Sequence, residues 1–234
     1  MTNLSHTQID RLGDRLREGS LTESDLRILD EYRRSFEEAY ETVVRTLRDE
    51  LHLEPTGRPA KSTSSLIEKL RRESIRLSQV QDIAGCRVVV ADIAEQERIV
   101  ASLCVVFAGA SVIDRRADPS HGYRAVHVIV KTCGRLVEIQ VRTLLQHLWA
   151  EFSEKLSDVV DPMIKYGGGD DETRRLLGVA SEYLTRIEGS EQMIARLQEQ
   201  QASDQHLQAL REQTVRRKEE LAQILSEMIS EVET

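Results

Sequence analysis

A chain of 234 residues, 40% hydrophobic, 31% charged and 4% aromatic, is long enough for one well-buried core with helical additions. No apolar stretch approaches the roughly 20 residues that span a bilayer, and Met1–His6 lacks the basic-then-apolar leader of an exported chain, so neither membrane insertion nor secretion is expected. The formal net charge of −8 weighs against an extended nucleic-acid footprint.

The first 54 residues read as helix. Leu12, Leu16, Leu29, Tyr32, Phe36, Tyr40, Val43 and Leu47 recur mostly at spacings of three and four, and Thr22 before Glu23-Ser24-Asp25 is a capped helix start. Glu54–Pro59, with two prolines and a glycine, is expected to break the pattern. A helix is expected from about Ser62 to Arg76, a buried strand at Cys86–Val90, a helix from Ile93 to Phe107 and a short strand at Ala110–Asp114. Tyr123–Lys131 and Arg135–Arg142 alternate as an antiparallel hairpin joined at Cys133-Gly134. Thr143–Ser157 returns to helix, Gly167–Gly169 interrupts it, and everything after Asp171 is helical in pattern. Leu221, Ile224, Leu225, Met228 and Val232 form an apolar seam that suits packing on the same domain, or self-association.

The expected fold class is α+β, a small mixed sheet of four to five strands flanked by helices, with helical N- and C-terminal extensions. The expected divisions are residues 1–54, 55–166 and 167–234. Cys86, Cys104 and Cys133 stand singly without CxxC spacing, which argues against a zinc site or disulfide framework and for a reducing, cytoplasmic setting.

The chemistry concentrates in three places. In the second hairpin strand Val137, Ile139 and Val141 should face the core, while Glu138, Gln140 and Arg142 share the other face. Tyr123, Ala125 and His127 should share a face of the partner strand. A carboxylate, an aromatic ring, an imidazole and a guanidinium around a small residue suit a charged planar ligand, although a solvated sheet face has the same pattern. Asp82, before Ile83-Ala84-Gly85, could join Glu138 in holding Mg²⁺, which takes one or two carboxylates plus substrate phosphates; a lone aspartate there also suits a turn. Ser65, Lys69 and Arg72 fall on one face of the helix from Ser62, and Arg58 and Lys61 lie at its N-terminal approach, where the helix dipole favours anions. Such a set can cradle a triphosphate without a Walker A loop, or form a solvated basic face.

The ordered series Lys61-Ser62-x-x-Ser65-Leu66-x-x-Lys69-Leu70-x-Arg72, Asp82–Val88, Gly122–His127, Val137–Thr143 and Trp149-Ala150-Glu151 resembles the synthetase domain of the RelA/SpoT family, over roughly residues 55 to 166. The resemblance implies an enzyme that moves the β,γ-pyrophosphate of ATP to the 3′-hydroxyl of GDP or GTP. It implies Mg²⁺ on Asp82 and Glu138, with Glu138 helping to deprotonate the hydroxyl. Arg58, Lys61, Ser65, Lys69 and Arg72 would hold the ATP phosphates, with Arg87 near the adenine or phosphates. Tyr123 would stack on the acceptor base beside His127, and Arg115, Gln140 and Arg142 complete the acceptor side. Ala125 stands where the family pattern has serine, Pro59 stands two places before Lys61 where it has arginine, and Asp114–His121 departs from its lysine-bearing segment. These departures keep other acceptors open. Toxin-type members act on the 3′-CCA end of tRNA, for which Arg115, Arg116 and Arg124 are candidate contacts, or make adenosine alarmones, and an antitoxin partner would then be expected. A non-catalytic nucleotide-binding module is the remaining alternative.

Overall fold

The structure, a computed structural model, describes residues 4–200 and 204–233. Its elements are α1 (His6–Glu18), α2 (Glu23–Arg34), α3 (Glu37–Asp49), β1 (Thr56–Arg58), α4 (Thr63–Arg72), β2 (Ala84–Val90), α5 (Ile93–Val106), β3 (Ser111–Asp114), β4 (Val126–Thr132), β5 (Arg135–Thr143), α6 (Leu144–Val159), α7 (Asp171–Glu199) and α8 (Asp204–Val232). The five strands form one sheet in the order β1-β2-β5-β4-β3, so the α+β expectation holds. No helix among the described residues is long and apolar enough to cross a membrane.

Several boundaries differ from expectation. β1 falls inside the proline-rich break: Thr56, Gly57 and Arg58 pair antiparallel with Arg87, Cys86 and Gly85. Gly57 is required there, because a Cβ would stand 2.6 Å from Cys86 Cα. α4 stops at Arg72 rather than Arg76, with Ser62 as its N-cap. β4 begins at Val126, so Tyr123 and Ala125 lie in the preceding turn, and strand alternation does not set their faces.

The chain divides into two compact units. The first comprises the described residues up to Val88, Leu103–Val112 and Val128–Gln140. Here Ser5 and Thr22 both cap their helices through capping boxes. α1 packs on α4 and on the 3₁₀ turn at Leu77–Gln79, burying Leu12, Leu16, Leu66, Leu70 and Leu77; each such leucine contributes about 1.5–3 kcal/mol. Arg17 donates to the carbonyls of Leu70 and Ile75, both at 2.8 Å, satisfying backbone acceptors at the end of α4.

The second unit comprises Val89–Ser102, Ile113–His127 and the described residues from Val141 onward. α6, α7 and α8 pack together around Leu145, Trp149, Phe152, Leu184, Leu221 and Leu225. The C-terminal seam therefore packs within its own unit, with one change: Ile229 is buried and Ile224 is exposed.

Candidate active site

The first unit brings two of the cationic residues expected for phosphate binding, Lys61 and Lys69, onto one carboxylate. Ser62 Oγ accepts from the Ser65 amide at 3.2 Å, opening α4 and directing Lys69 back along its face. Lys61 Nζ donates to Asp82 Oδ2 at 2.6 Å, and Lys69 Nζ donates to Asp82 Oδ1 at 2.9 Å. Burial pushes the Asp82 carboxyl up, but the two ammonium groups outweigh it and hold the carboxyl below its ordinary value. Asp82 is thus ionised and shared between two lysines. The Lys61 amide donates to the Ile83 carbonyl at 2.7 Å, fixing the start of α4 to the approach of β2.

The remaining expected phosphate contacts lie on β1, α4 and β2 of the same unit. Arg58 is exposed at the end of β1, opposite Gly85. Ser65 Oγ accepts from Ser62 Oγ at 2.8 Å. Arg72 is exposed and donates to Glu73 at 2.9 Å. Arg87 is half-buried on β2, paired with Thr56 of β1. No spacing or motif points to α2 here, yet Arg33 and Arg34 line a cleft of about 350 Å³ with Asp30, Glu37, Pro59 and Ala60, the last of these next to Lys61 in the chain.

β5 follows its expected alternation: Val137, Ile139 and Val141 are buried, while Glu138 and Gln140 are half-buried. Gln140 Nε2 donates to Glu138 Oε2 at 2.7 Å, which orients the carboxylate. Gly85 permits the close approach of β2, since a Cβ there would stand 3.1 Å from the Glu138 carbonyl oxygen. Burial, with the Glu138 charge adding to it, pushes the Cys86 thiol up to about 12.

Asp82 and Glu138 offer the hard oxygen donors that suit Mg²⁺. No group of three or more His, Cys, Asp or Glu side chains among the described residues is placed to hold a metal, so substrate phosphates and water would have to complete the shell. In donor chemistry the two carboxylates fit such an ion.

The second unit brings Tyr123, His127 and Arg142 together. Tyr123 Oη lies 2.9 Å from His127 Nε2 and accepts from Arg142 Nη2 at 2.9 Å. The hydroxyl, which accepts from Arg142, is thus held between the guanidinium and the imidazole. The Arg142 guanidinium sits over one face of the Tyr123 ring, 5.0 Å from its centroid. Arg142 is buried, against the expectation of an open sheet face.

The three arginines considered for tRNA contact separate. Arg124 is 8% exposed and lies against Glu188, which is 5% exposed, with guanidinium nitrogens 2.9 and 2.5 Å from one carboxylate oxygen. It is an interior ion pair, which corrects its expected place on the surface. Arg116 is clasped by Asp114 at 2.8 Å and donates to Gln96 at 3.1 Å. Arg115 is half-exposed and its amide donates to the Ala125 carbonyl at 2.9 Å.

A profile described as a region found in RelA and SpoT proteins matches residues 57–157. An uncharacterised protein of Mycobacterium tuberculosis strain H37Rv is 43% identical over 112 residues, 46% of this chain and 41% of that protein; the chain thus spans well under half the length of these mycobacterial relatives. The GTP pyrophosphokinase YjbM of Bacillus subtilis strain 168 is 33% identical over 165 residues, covering 63% of this chain and 74% of YjbM. Among solved structures, small alarmone synthetase 1 of Bacillus subtilis bound to its product pppGpp aligns with a TM-score of 0.54 at 28% identity, over 74% of this chain and 97% of that one.

Proposed function

The chain belongs to the RelA/SpoT family, and from that membership we propose that it transfers the β,γ-pyrophosphate of ATP to the 3′-hydroxyl of GDP or GTP. The observation that carries this reading is the bracketing of Asp82 by Lys61 and Lys69 at the mouth of α4. Two cations and a carboxylate held within hydrogen-bond reach can exchange partners with a triphosphate and its metal without importing new charge. The relative named a GTP pyrophosphokinase and the neighbour bound to pppGpp support the choice of acceptor.

In this proposal Lys61, Ser65, Lys69, Arg58 and Arg72 hold the ATP phosphates, and Arg87 lies by the adenine or phosphates. Asp82 and Glu138 would hold Mg²⁺, which supplies charge neutralisation on the phosphates when bound. The acceptor 3′-oxygen forms a bond to the β-phosphorus as that phosphorus parts from the α,β-bridging oxygen. AMP leaves, and the hydroxyl proton passes to the Glu138 carboxylate. Gln140 keeps that carboxylate oriented through its amide. Tyr123 stacks on the acceptor base through the ring face opposite the Arg142 guanidinium, and His127 fixes the tyrosine hydroxyl. Arg115 lies beside the turn that carries Tyr123.

The test is incubation of the purified chain with γ-labelled ATP and GDP, GTP or bulk tRNA. Label in the guanosine nucleotide is expected. Label on tRNA alone, or in no acceptor, overturns the proposal.

A further inference from the structure

Helix α7 buries Leu177, Ser181, Leu184, Ile187 and Glu188, which recur along one face at spacings of three and four. That is the rhythm of an apolar seam, yet two of its five buried positions are polar. Both reach the same turn. Ser181 Oγ donates to the Gly122 carbonyl at 2.9 Å, and Glu188 Oε2 accepts from Arg124 Nε at 2.9 Å and from Nη2 at 2.5 Å. Gly122 and Arg124 flank Tyr123 in the chain. Gly122 itself has a φ of 89° and lies against Trp149, whose Cζ2 would be 2.8 Å from a Cβ.

The second oxygen of Glu188 accepts from Gln146 Nε2 at 2.6 Å. Gln146 closes the capping box with Thr143 at the start of α6, one residue after Arg142. One buried carboxylate therefore ties the turn before β4 to the end of β5, the two segments that carry Tyr123 and Arg142. A buried ion pair gives little net stability over apolar packing, and removing one partner is costly. The arrangement is better explained by what it holds in place than by what it adds to the core.

We propose that Ser181 and Glu188 are positioning residues that set the Tyr123 ring for the acceptor, so that α7, outside the residues 57–157 matched to the family, completes the acceptor side. The proposal rests on the reading of Tyr123 as the residue that stacks on the acceptor base. A ring displaced by even 1 Å loses much of its effect on the reaction, whereas helix packing alone would have no reason to discriminate between the two substrates.

The test compares Glu188→Gln, Ser181→Ala and, as a packing control on the same face, Leu184→Ala in the full chain. Two readouts are taken: KM for GDP and for ATP, and the emission of Trp149, the single tryptophan. Glu188→Gln and Ser181→Ala should raise KM for GDP roughly tenfold and several-fold, with KM for ATP within about twofold. Trp149 emission should shift to the red in both. Leu184→Ala should lower the melting temperature without separating the two KM values. If GDP and ATP are affected equally, or Leu184→Ala gives the same separation, the proposal is overturned. If Glu188→Gln does not fold, Ser181→Ala, which removes a single hydroxyl, decides by the same criteria. If the wild-type chain labels no guanosine nucleotide, the functional reading fails by itself. Trp149 then decides: a red shift in Ser181→Ala or Glu188→Gln but not in Leu184→Ala sustains the positioning of the turn, and unchanged emission ends it.

Discussion

Lys61 Nζ donates to Asp82 Oδ2 at 2.6 Å, joining the approach of α4 to the approach of β2. With Lys69 on the other oxygen, the free chain already satisfies the charges that the proposed reaction needs. Substrate binding is then an exchange of partners. Replacing the carboxylate with an amide removes the proposed metal ligand and the negative charge that Lys61 and Lys69 share. Asp82→Asn, and Glu138→Gln independently, should lower transfer by roughly a hundredfold or more, with unchanged far-UV circular dichroism. Near wild-type turnover in either would withdraw that residue from the metal pair.

Tyr123 offers a different measurement. Loss of base stacking costs ~1–3 kcal/mol, so Tyr123→Ala should raise KM for the acceptor roughly tenfold and leave that for ATP nearly unchanged. Tyr123→Phe retains the ring and loses the hydroxyl's hydrogen bonds to His127 and Arg142, so its effect should be smaller. Equal effects on both substrates would remove the stacking role.

Salt dependence separates the acceptors. Arg124 is inside the protein with Glu188, and Arg116 is committed to Asp114, which removes two of the three arginines expected along a tRNA phosphate path. Transfer to GDP should therefore respond only shallowly to NaCl at fixed Mg²⁺, and exchange of Arg115 for glutamate should have a modest effect. A steep salt profile accompanied by labelled tRNA would favour counterion release along a polynucleotide instead.

The cysteines should differ in reactivity. Cys104 and Cys133 are exposed and Cys86 is buried, with its thiol pushed up to about 12. Since the thiolate is the reactive form, a disulfide reagent at about pH 8 should titrate two thiols in the folded chain and three after denaturation. Rapid reaction of all three in the native state would contradict the burial of β2.

Acid stability should depend on Asp25. Hydrogen bonding from Arg15, then from Thr22, lowers its carboxyl from 3.8 to about 2. A folded value below the unfolded one gives stability that is complete above pH 3.8 and is lost as pH falls toward about 2. Asp25→Asn should flatten the melting-temperature profile across that window; a profile as steep as the wild type's would mean that other groups dominate.

Much of this molecule can be read before folding, because periodicity is a local property. The spacing of Ser65, Lys69 and Arg72 places them on α4, and the alternation of Val137, Ile139 and Val141 correctly places the buried face of β5. β1 escapes such reading because its three residues are exposed and are held only by pairing with β2. The contacts of Asp82 with Lys61 and Lys69 span 21 and 13 residues, and that between Arg124 and Glu188 spans 64, beyond any local pattern. Glu188 did leave one trace: an acidic residue falling in step with Leu177 and Leu184. The burial of Arg142 had none, since alternation along β5 does not reveal what covers it.

The turn between β4 and β5 carries a consequence for how this protein can change by insertion. Cys133 and Gly134 have φ of 48° and 73°, the left-handed pair of a tight two-residue hairpin. Such a turn counts residues, because strand faces alternate with a period of two. Lengthening it by one residue without a compensating bulge would reverse parity along β5, turning Glu138 and Gln140 into the core and Val137 and Ile139 outward. Exchanging Cys133 for asparagine or aspartate keeps the count and the favoured conformation. Sequence drift at this tip is therefore cheap, while a single inserted codon would silence a carboxylate four residues away.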